Sequence, residues 1–202
     1  MTDVLDTTKK PIQARAKARR EKIIACTEAI VRRDGIDAVS TTSIAQEAGI
    51  PVGSIYRYFK DKNDILVLLH HVAFDEVTGA VAETLETLTP GQGFRKTHEA
   101  LFRVFWKAAR EHPTFRALTR WENAHASLWE VTPGPNSRLD DLVRKSLDVA
   151  GTELPPKRRG AMLRTAVTAL SVLIDQAIEE DDEATADALI DEITTLLTNY
   201  FE

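Results

Sequence analysis

The sequence predicts an all-α protein, with a three-helix N-terminal unit followed by a larger helical body. Apolar residues recur at spacings of three and four rather than two. Gly and Pro gather into clusters, such as Thr89–Gly93 and Thr132–Asn136, that punctuate long helical stretches. Alternating runs that would mark strands are almost absent.

Taken in order, residues 1–13 read as a disordered basic extension. A first helix is expected from Ala14 to Asp34, closed by Gly35, with Ile23, Thr27, Ile30 and Val31 as its apolar stripe. Ser40 opens a second helix, because its hydroxyl can accept from an orphan backbone N–H, and Gly49 stops it after Ala48. Beyond Ile50-Pro51 a third, short helix runs to Phe59. Asp61 caps the fourth, with Asp64 in its first turn where anions are stabilised. The buried stripe of that long helix is Ile65, Leu69, Val72, Ala73, Val77, Ala80, Val81, Leu85 and Leu88. Further helices are expected at about 94–111, 113–130, 136–150, 157–180 and 184–201. The domains are then 1–13, 14–60 and 61–202.

Composition bounds the function. The chain has 202 residues, 43% hydrophobic and 28% charged, the range of soluble globular proteins. Its longest purely aliphatic run is Ile65 to Leu69, far short of the roughly 20 apolar residues of a spanning helix. No secretory leader is evident at the start, so a cytoplasmic protein without a membrane partner is expected. Cys26 is alone, which excludes an internal disulfide framework. Charge is unevenly spread: residues 1–65 carry 12 basic and 9 acidic side chains, the remaining 137 carry 14 and 22. Lys9 to Lys22 holds most of the positive excess, and Glu179 to Glu183 is wholly acidic. A basic end on an acidic body points to an anionic partner at one end only.

The short helices suggest what that partner is. At about 100° per residue, Val52, Ile55, Tyr56 and Phe59 share the buried face of the third helix. Gly53, Ser54, Arg57 and Tyr58 face away. On the second helix Ile44, Ala45 and Ala48 point inward while Thr42 and Gln46 point out together. Two short helices joined by a Gly-containing turn form a helix-turn-helix, whose second helix enters the DNA major groove. Gly53 and Ser54 let a backbone approach base edges, Arg57 suits guanine and Gln46 suits adenine. Lys62 sits in the first turn of the fourth helix, where the helix dipole disfavours a cation; a phosphate against that turn would account for it.

The stretch Thr41 to Leu66, TTSIAQEAGIPVGSIYRYFKDKNDIL, resembles the DNA-binding signature of the tetracycline-repressor (TetR) family of transcription regulators. Ile44-Ala45, Ala48-Gly49, Gly53-Ser54, Tyr56, Tyr58-Phe59, Lys62 and Leu66 carry the match. The resemblance implies that Thr41 and Thr42 contact phosphate or a base edge, and that Gly53 and Ser54 approach the groove. Tyr56, Tyr58 and Lys62 would hold phosphates, with Val52 and Arg57 at the positions that choose the sequence. Pro51 stands where the family commonly has a capping Ser or Thr, so one phosphate contact is missing. In similar proteins a basic extension such as Lys9–Lys22 runs along the DNA backbone or into the minor groove.

For the body, helices 157–180 and 184–201 each carry more apolar surface than one face needs. Met162, Ala166, Leu170, Leu173 and Ala177 form one stripe on the first, beside Leu163, Val167, Ile174 and Ile178. Leu189, Ile193, Leu196 and Tyr200 adjoin Ile190, Leu197 and Phe201 on the second. By resemblance, two such helices per subunit make a four-helix homodimer interface, so double-stranded DNA would be read as a palindromic operator. Phe102, Phe105, Trp106, Trp121, His125 and Trp129 fall in the region that encloses the effector pocket in similar proteins, and an aromatic lining suits a small apolar or aromatic molecule. The rival readings are a helical metal-dependent enzyme and a structural helical interaction protein. No nucleophile–base pair, phosphate loop or HExxH stands out, and His71 and Asp75 are the one pair spaced to share a metal. An enzyme, a cofactor and a metal site are therefore not expected.

Overall fold

The computed structural model describes residues 9–127 and 137–202, and among these no strand occurs. Two compact units divide the chain, Met1–Val72 and Ala73–Glu202. The division falls inside the long fourth helix rather than at residue 60.

In the first unit α1 spans Lys9–Asp34, a 3-10 turn Ile36–Ala38, α2 Thr41–Ala48 and α3 Val52–Ile55, and α4 (Lys62–Thr87) begins here. The first helix starts at Lys9, before the expected Ala14, so residues 9–13 are helical rather than disordered. Pro11 is tolerated because it lies in the first turn, where its missing N–H has no intrahelical partner. Ile23, Thr27, Ile30 and Val31 are buried as their spacing requires, and Thr27 Oγ1 donates to Ile23 O at 2.8 Å. Val39, Ile44, Ile55, Phe59, Ile65 and Leu66 are buried in the same unit, where α1 packs on α2 and α2 on α3.

Two expectations need correcting. Tyr56 is 57% exposed and does not share the buried face with Ile55 and Phe59. Regular α3 geometry stops at Ile55, and Ile55 O then accepts from both Tyr58 N and Phe59 N in a tighter turn. Tyr56 is the C-cap of α3 and lies outside the buried face. Val72 on α4 is likewise exposed, because Ala73 takes the buried place one turn after Leu69.

The second unit contains the rest of α4, then α5 (Phe94–Glu111), α6 (Phe115–His125), α7 (Arg138–Ala150), α8 (Arg159–Glu179) and α9 (Glu183–Phe201). α5 packs on α6, α7 and α9, and α8 packs on α6, α7 and α9. Phe115, Leu118, Leu163 and Ile178 are fully buried between them. By length and composition α4 and α8 could each cross a bilayer. In α8, however, Met162, Leu163, Ala166, Val167, Leu170, Ile174, Ala177 and Ile178 are buried in this helical core.

Polar ties fix the corners. The His112 ring caps α6, with Nδ1 accepting from Thr114 N at 3.3 Å and Phe115 N at 3.1 Å. Nε2 must therefore carry the proton, which it donates to Glu76 of α4 at 3.0 Å. Arg116 and Arg120 donate to the last carbonyls of α8 and its cap, at Ile178, Glu179 and Glu180, where cations suit the helix dipole. The acidic run is held the same way: Arg120 pairs with Asp181 at 2.9 Å and Arg110 with Glu183 at 2.6 Å.

His98 joins α5 to α7 inside this unit. Its Nδ1 donates to Phe94 O at 2.9 Å, and Nε2 lies 2.9 Å from Ser146 Oγ, a hydroxyl whose single proton is shared with Val143 O at 2.8 Å. Burial pushes its pKa down to about 4, against a smaller upward pull from the Phe94 carbonyl. The native ring stays neutral while the unfolded one protonates near pH 6.5. Stability from this residue is present above that value and drains away as pH falls toward 4. Between pH 7.5 and 5 the wild type should lose roughly 2 kcal/mol more stability than His98→Leu. Urea unfolding at the two pH values checks this, and parallel losses in both proteins would contradict it.

Candidate nucleic-acid interface

The surface built by α2 and α3 begins with a capping box. Ser40 Oγ accepts from Ser43 N at 3.0 Å and Ser43 Oγ accepts from Ser40 N at 2.9 Å. Gly49 ends α2 in the left-handed conformation, φ 59°, and its N–H reaches Ala45 O and Gln46 O. Pro51 caps α3 with no side-chain bond, as its lack of a hydroxyl requires. This turn sets the two short helices against each other, with Ile44, Ala45, Ala48 and Ile55 inward.

What faces outward is small, polar and basic. Thr42, Gln46, Gly53, Tyr56, Arg57 and Lys62 are exposed, while Thr41, Val52, Ser54 and Tyr58 are half-buried. A Cβ added at Gly53 would meet nothing within 4 Å. The interior of the protein therefore does not demand glycine there. Thr41 Oγ1 and Tyr56 Oη lie 3.3 Å apart and tie the start of α2 to the end of α3. Acidic groups nearby are engaged: Glu47 pairs with Arg33 at 3.1 Å, Asp61 accepts from Asn63 N and Asp64 N, and Asp64 accepts from Lys60 N. Arg57 has no hydrogen-bond or ion-pair partner among the described residues. Lys62 Nζ donates to Val39 O at 3.3 Å, a bond that spacing alone could not show, and an ammonium keeps two further donors.

The aromatic residues of the second unit do not form one cluster. Phe102 and Trp106 are buried at the floor of an open groove of about 980 Å³ between α5 and α9, and Trp106 Nε1 donates to Asp187 at 2.6 Å. Phe105 instead meets Phe115 edge-on, centroids 6.4 Å apart. Trp121 is half-buried and stacks on the exposed His125 at 5.0 Å. Trp129 lies outside the described residues. His71 is exposed, and Asp75 pairs with Arg138 at 3.0 Å. Among the described residues no three of His, Cys, Asp and Glu gather where they could hold a metal ion.

Residues 23–69 match the family described as bacterial regulatory proteins, tetR family. Residues 94–201 match the tetracyclin repressor-like C-terminal domain. The chain belongs to the tetR family. Among curated relatives it is 27% identical over 94 residues to an uncharacterized HTH-type transcriptional regulator of Haemophilus influenzae, covering 46% of this chain and 49% of that protein. It is 38% identical over 50 residues to an HTH-type transcriptional regulator of Staphylococcus aureus, covering 25% and 27%. The chain thus spans about half the length of the first of these relatives and about a quarter of the second. Two solved structures share the fold at a TM-score of 0.58. One is a TetR-family transcriptional regulator from Streptomyces coelicolor, 22% identical, with 90% of this chain and 96% of that chain covered. The other is a TetR transcriptional regulator from a Rhodococcus species, 20% identical, with 92% and 98% covered. The family match at residues 23–69 contains every element of the α2–α3 surface.

Proposed function

We propose that this tetR-family protein is a ligand-responsive, DNA-binding transcription regulator. In this reading it is a cytoplasmic repressor that binds a palindromic operator as a homodimer and is released by a small apolar or aromatic effector. The observation that carries the reading is the outward face of α2 and α3. It is small, basic and free of unengaged acid, and it holds a glycine the fold itself does not need.

In this reading α3 lies in the major groove, where Gly53 and Ser54 bring the backbone close to base edges. Arg57 and Val52 choose the sequence, with Gln46 beside them. Thr41, Thr42, Tyr56, Tyr58 and Lys62 hold phosphates and set the register. The exposure of Tyr56 favours its share of this work, since a buried phenol could not reach a phosphate.

A homodimer is supported by α8 and α9. Leu196 is 51% exposed and Tyr200 36%. With Leu173, Leu189 and Ile193, Leu196 lines an apolar groove of about 300 Å³. A two-fold axis there would present two α3 helices to a near-palindromic site. An effector held by residues of the 102–129 region would favour a placement of α4 that does not fit the operator. The effector must bind that state more tightly, since equal affinity shifts nothing.

Three outcomes are expected with a duplex selected from a random pool, read by gel shift and salt titration. Gly53→Ala should leave thermal stability equal or raise it slightly, because alanine suits a helix better. It should still weaken DNA binding by tenfold or more; unchanged binding would remove the groove role. Lys62→Ala should weaken binding on every sequence and flatten the salt slope by about one unit. A changed base preference would assign Lys62 to base reading instead. Leu196→Asp should yield a folded monomer in analytical ultracentrifugation, and a dimer that persists would move the interface elsewhere. No sequence-selective, salt-sensitive complex with any duplex would sink the regulator reading itself.

A further inference from the structure

The first turn of α6 gathers donors that the chain itself does not satisfy. Thr114 occupies the N-cap position, and its side chain makes no cap bond. The residue is 1% exposed, and its Oγ1 is buried without a hydrogen-bond partner. Two residues on, Arg116 Nε is also buried and unpartnered. The His112 ring takes the backbone N–H groups of Thr114 and Phe115. Neither Arg116 N nor Ala117 N finds an acceptor among the described residues. These two are the N–H groups that an N-cap oxygen usually satisfies. Charge at this corner is equally unbalanced. Arg116 Nη2 donates to the Ile178 and Glu180 carbonyls, at 3.4 and 3.0 Å, and no carboxylate pairs with the guanidinium among the described residues. The acids around the α8–α9 turn are engaged elsewhere: Glu179 accepts from Asn123, Asp181 pairs with Arg120 and Glu183 with Arg110. The first turn of α6 contains no acid of its own. A guanidinium, the positive end of a helix and a buried hydroxyl therefore share one short segment without an anion.

We propose that the first turn of α6 binds a compact monovalent anion, either a halide such as chloride or the carboxylate of a formate-sized molecule. Thr114 Oγ1 and Arg116 Nε would donate to it together with the backbone N–H groups of Arg116 and Ala117, in the manner of other anions held at helix starts. Burial of Thr114 Oγ1 and Arg116 Nε limits the ligand to a few atoms, and one guanidinium calls for one negative charge. Water in the same place would satisfy the donors and leave that charge uncompensated. The claim concerns the second unit alone and does not rest on the DNA-binding reading. It bears on α4 through the same corner, because the His112 ring that caps α6 also reaches Glu76. An anion in this turn would steady both ends of that tie.

Thermal unfolding of the full chain at constant ionic strength tests the site, with sodium chloride, bromide and formate set against sodium gluconate, whose anion is too large to enter. At about 100 mM the small anions should raise Tm by about 3 °C over gluconate. A rise with both halides and not with formate assigns the site to a halide, and the converse assigns it to a carboxylate. Thr114→Val should change sign between salts. In gluconate it should melt higher than the wild type, because it removes a buried hydroxyl that has no partner. In the anion that binds it should melt lower, because a ligand to that anion is gone. Arg116→Gln should lose the difference between salts altogether. Crystals soaked in bromide read the place directly and do not depend on either variant folding: an anomalous peak in hydrogen-bond reach of Arg116 Nε and Thr114 Oγ1 is expected. Equal melting of the wild type in every salt would overturn the proposal and leave the corner to water. A salt effect kept in full by Thr114→Val and Arg116→Gln would be nonspecific and would overturn it as well. A bromide peak with no shift in solution would mean an adventitious ion only, with the same consequence.

Discussion

The outward surface of α2 and α3 depends on the burial of Ile55 and Phe59. The third helix has four residues in regular geometry, far too few to hold itself in water. Its orientation comes from these two side chains, 0% and 5% exposed, and from the packing of α3 on α2. Once they are anchored, helix geometry leaves Gly53 and Arg57 outside whatever their own preferences. The capping box at Ser40 and the left-handed Gly49 set the angle at which this short element meets α2. Under the proposed function, recognition and stability are carried by different residues of this short segment. That separation is what lets the outer positions be tuned for a ligand without loosening the fold.

In the second unit a similar division applies to charge. The five-residue acidic run would repel itself if left alone. It lies beside the end of α8, where Arg116 and Arg120 already cap the helix carbonyls. Arg110 and Arg120 extend this to Glu183 and Asp181. These pairs are exposed enough to contribute little each, and their effect is to fix where α8 turns into α9. His112 does comparable work at the α5–α6 corner, where the Thr114 side chain makes no cap and the imidazole replaces it. Its second nitrogen reaches Glu76, so the corner and α4 share one ring.

The helices, their breaks and the inward residues of α2 were legible in the sequence because they are local: periodicity, caps and Gly positions act within a few residues. The long-range polar ties were not. Nothing in the spacing of His112 from Glu76, or Lys62 from Val39, marks them as partners. Tyr56 was misplaced for a subtler reason. A 3.6-residue wheel puts it near the edge of the face that holds Phe59, and as the C-cap of α3 it stands on the exposed side of that edge. The start of α1 lies five residues before the expected one, because Pro11 falls in the first turn, where proline is tolerated. The aromatic residues of 102–129 were legible as a composition and not as a site, since hydrophobic side chains are needed equally by a core. The structure disperses them, with Phe105 against Phe115 and Trp121 against His125.

The last helix joins these arguments. On α9, Thr194 and Thr198 point inward and are buried, while Leu196 and Tyr200 point out. The inner face also holds Ile190, Ile193 and Leu197, so Leu196 and Tyr200 are apolar surface beyond what this unit buries. The inward threonines cost little, because each hydroxyl donates to the carbonyl four residues earlier, at 3.0 and 2.8 Å, and so brings no unpaired polar group into the core. The outward leucine and tyrosine have no such compensation within one chain, and Leu189 on the same helix and Leu173 on α8 line the groove beside Leu196. Covering that strip with a second copy would turn the cost into the driving force for association. It would also make the pairing of two α3 surfaces a consequence of packing at the far end of the chain. The palindromic reading then rests on the same physics as the rest of the fold: apolar surface determines placement, and the exposed polar surface is left to recognise.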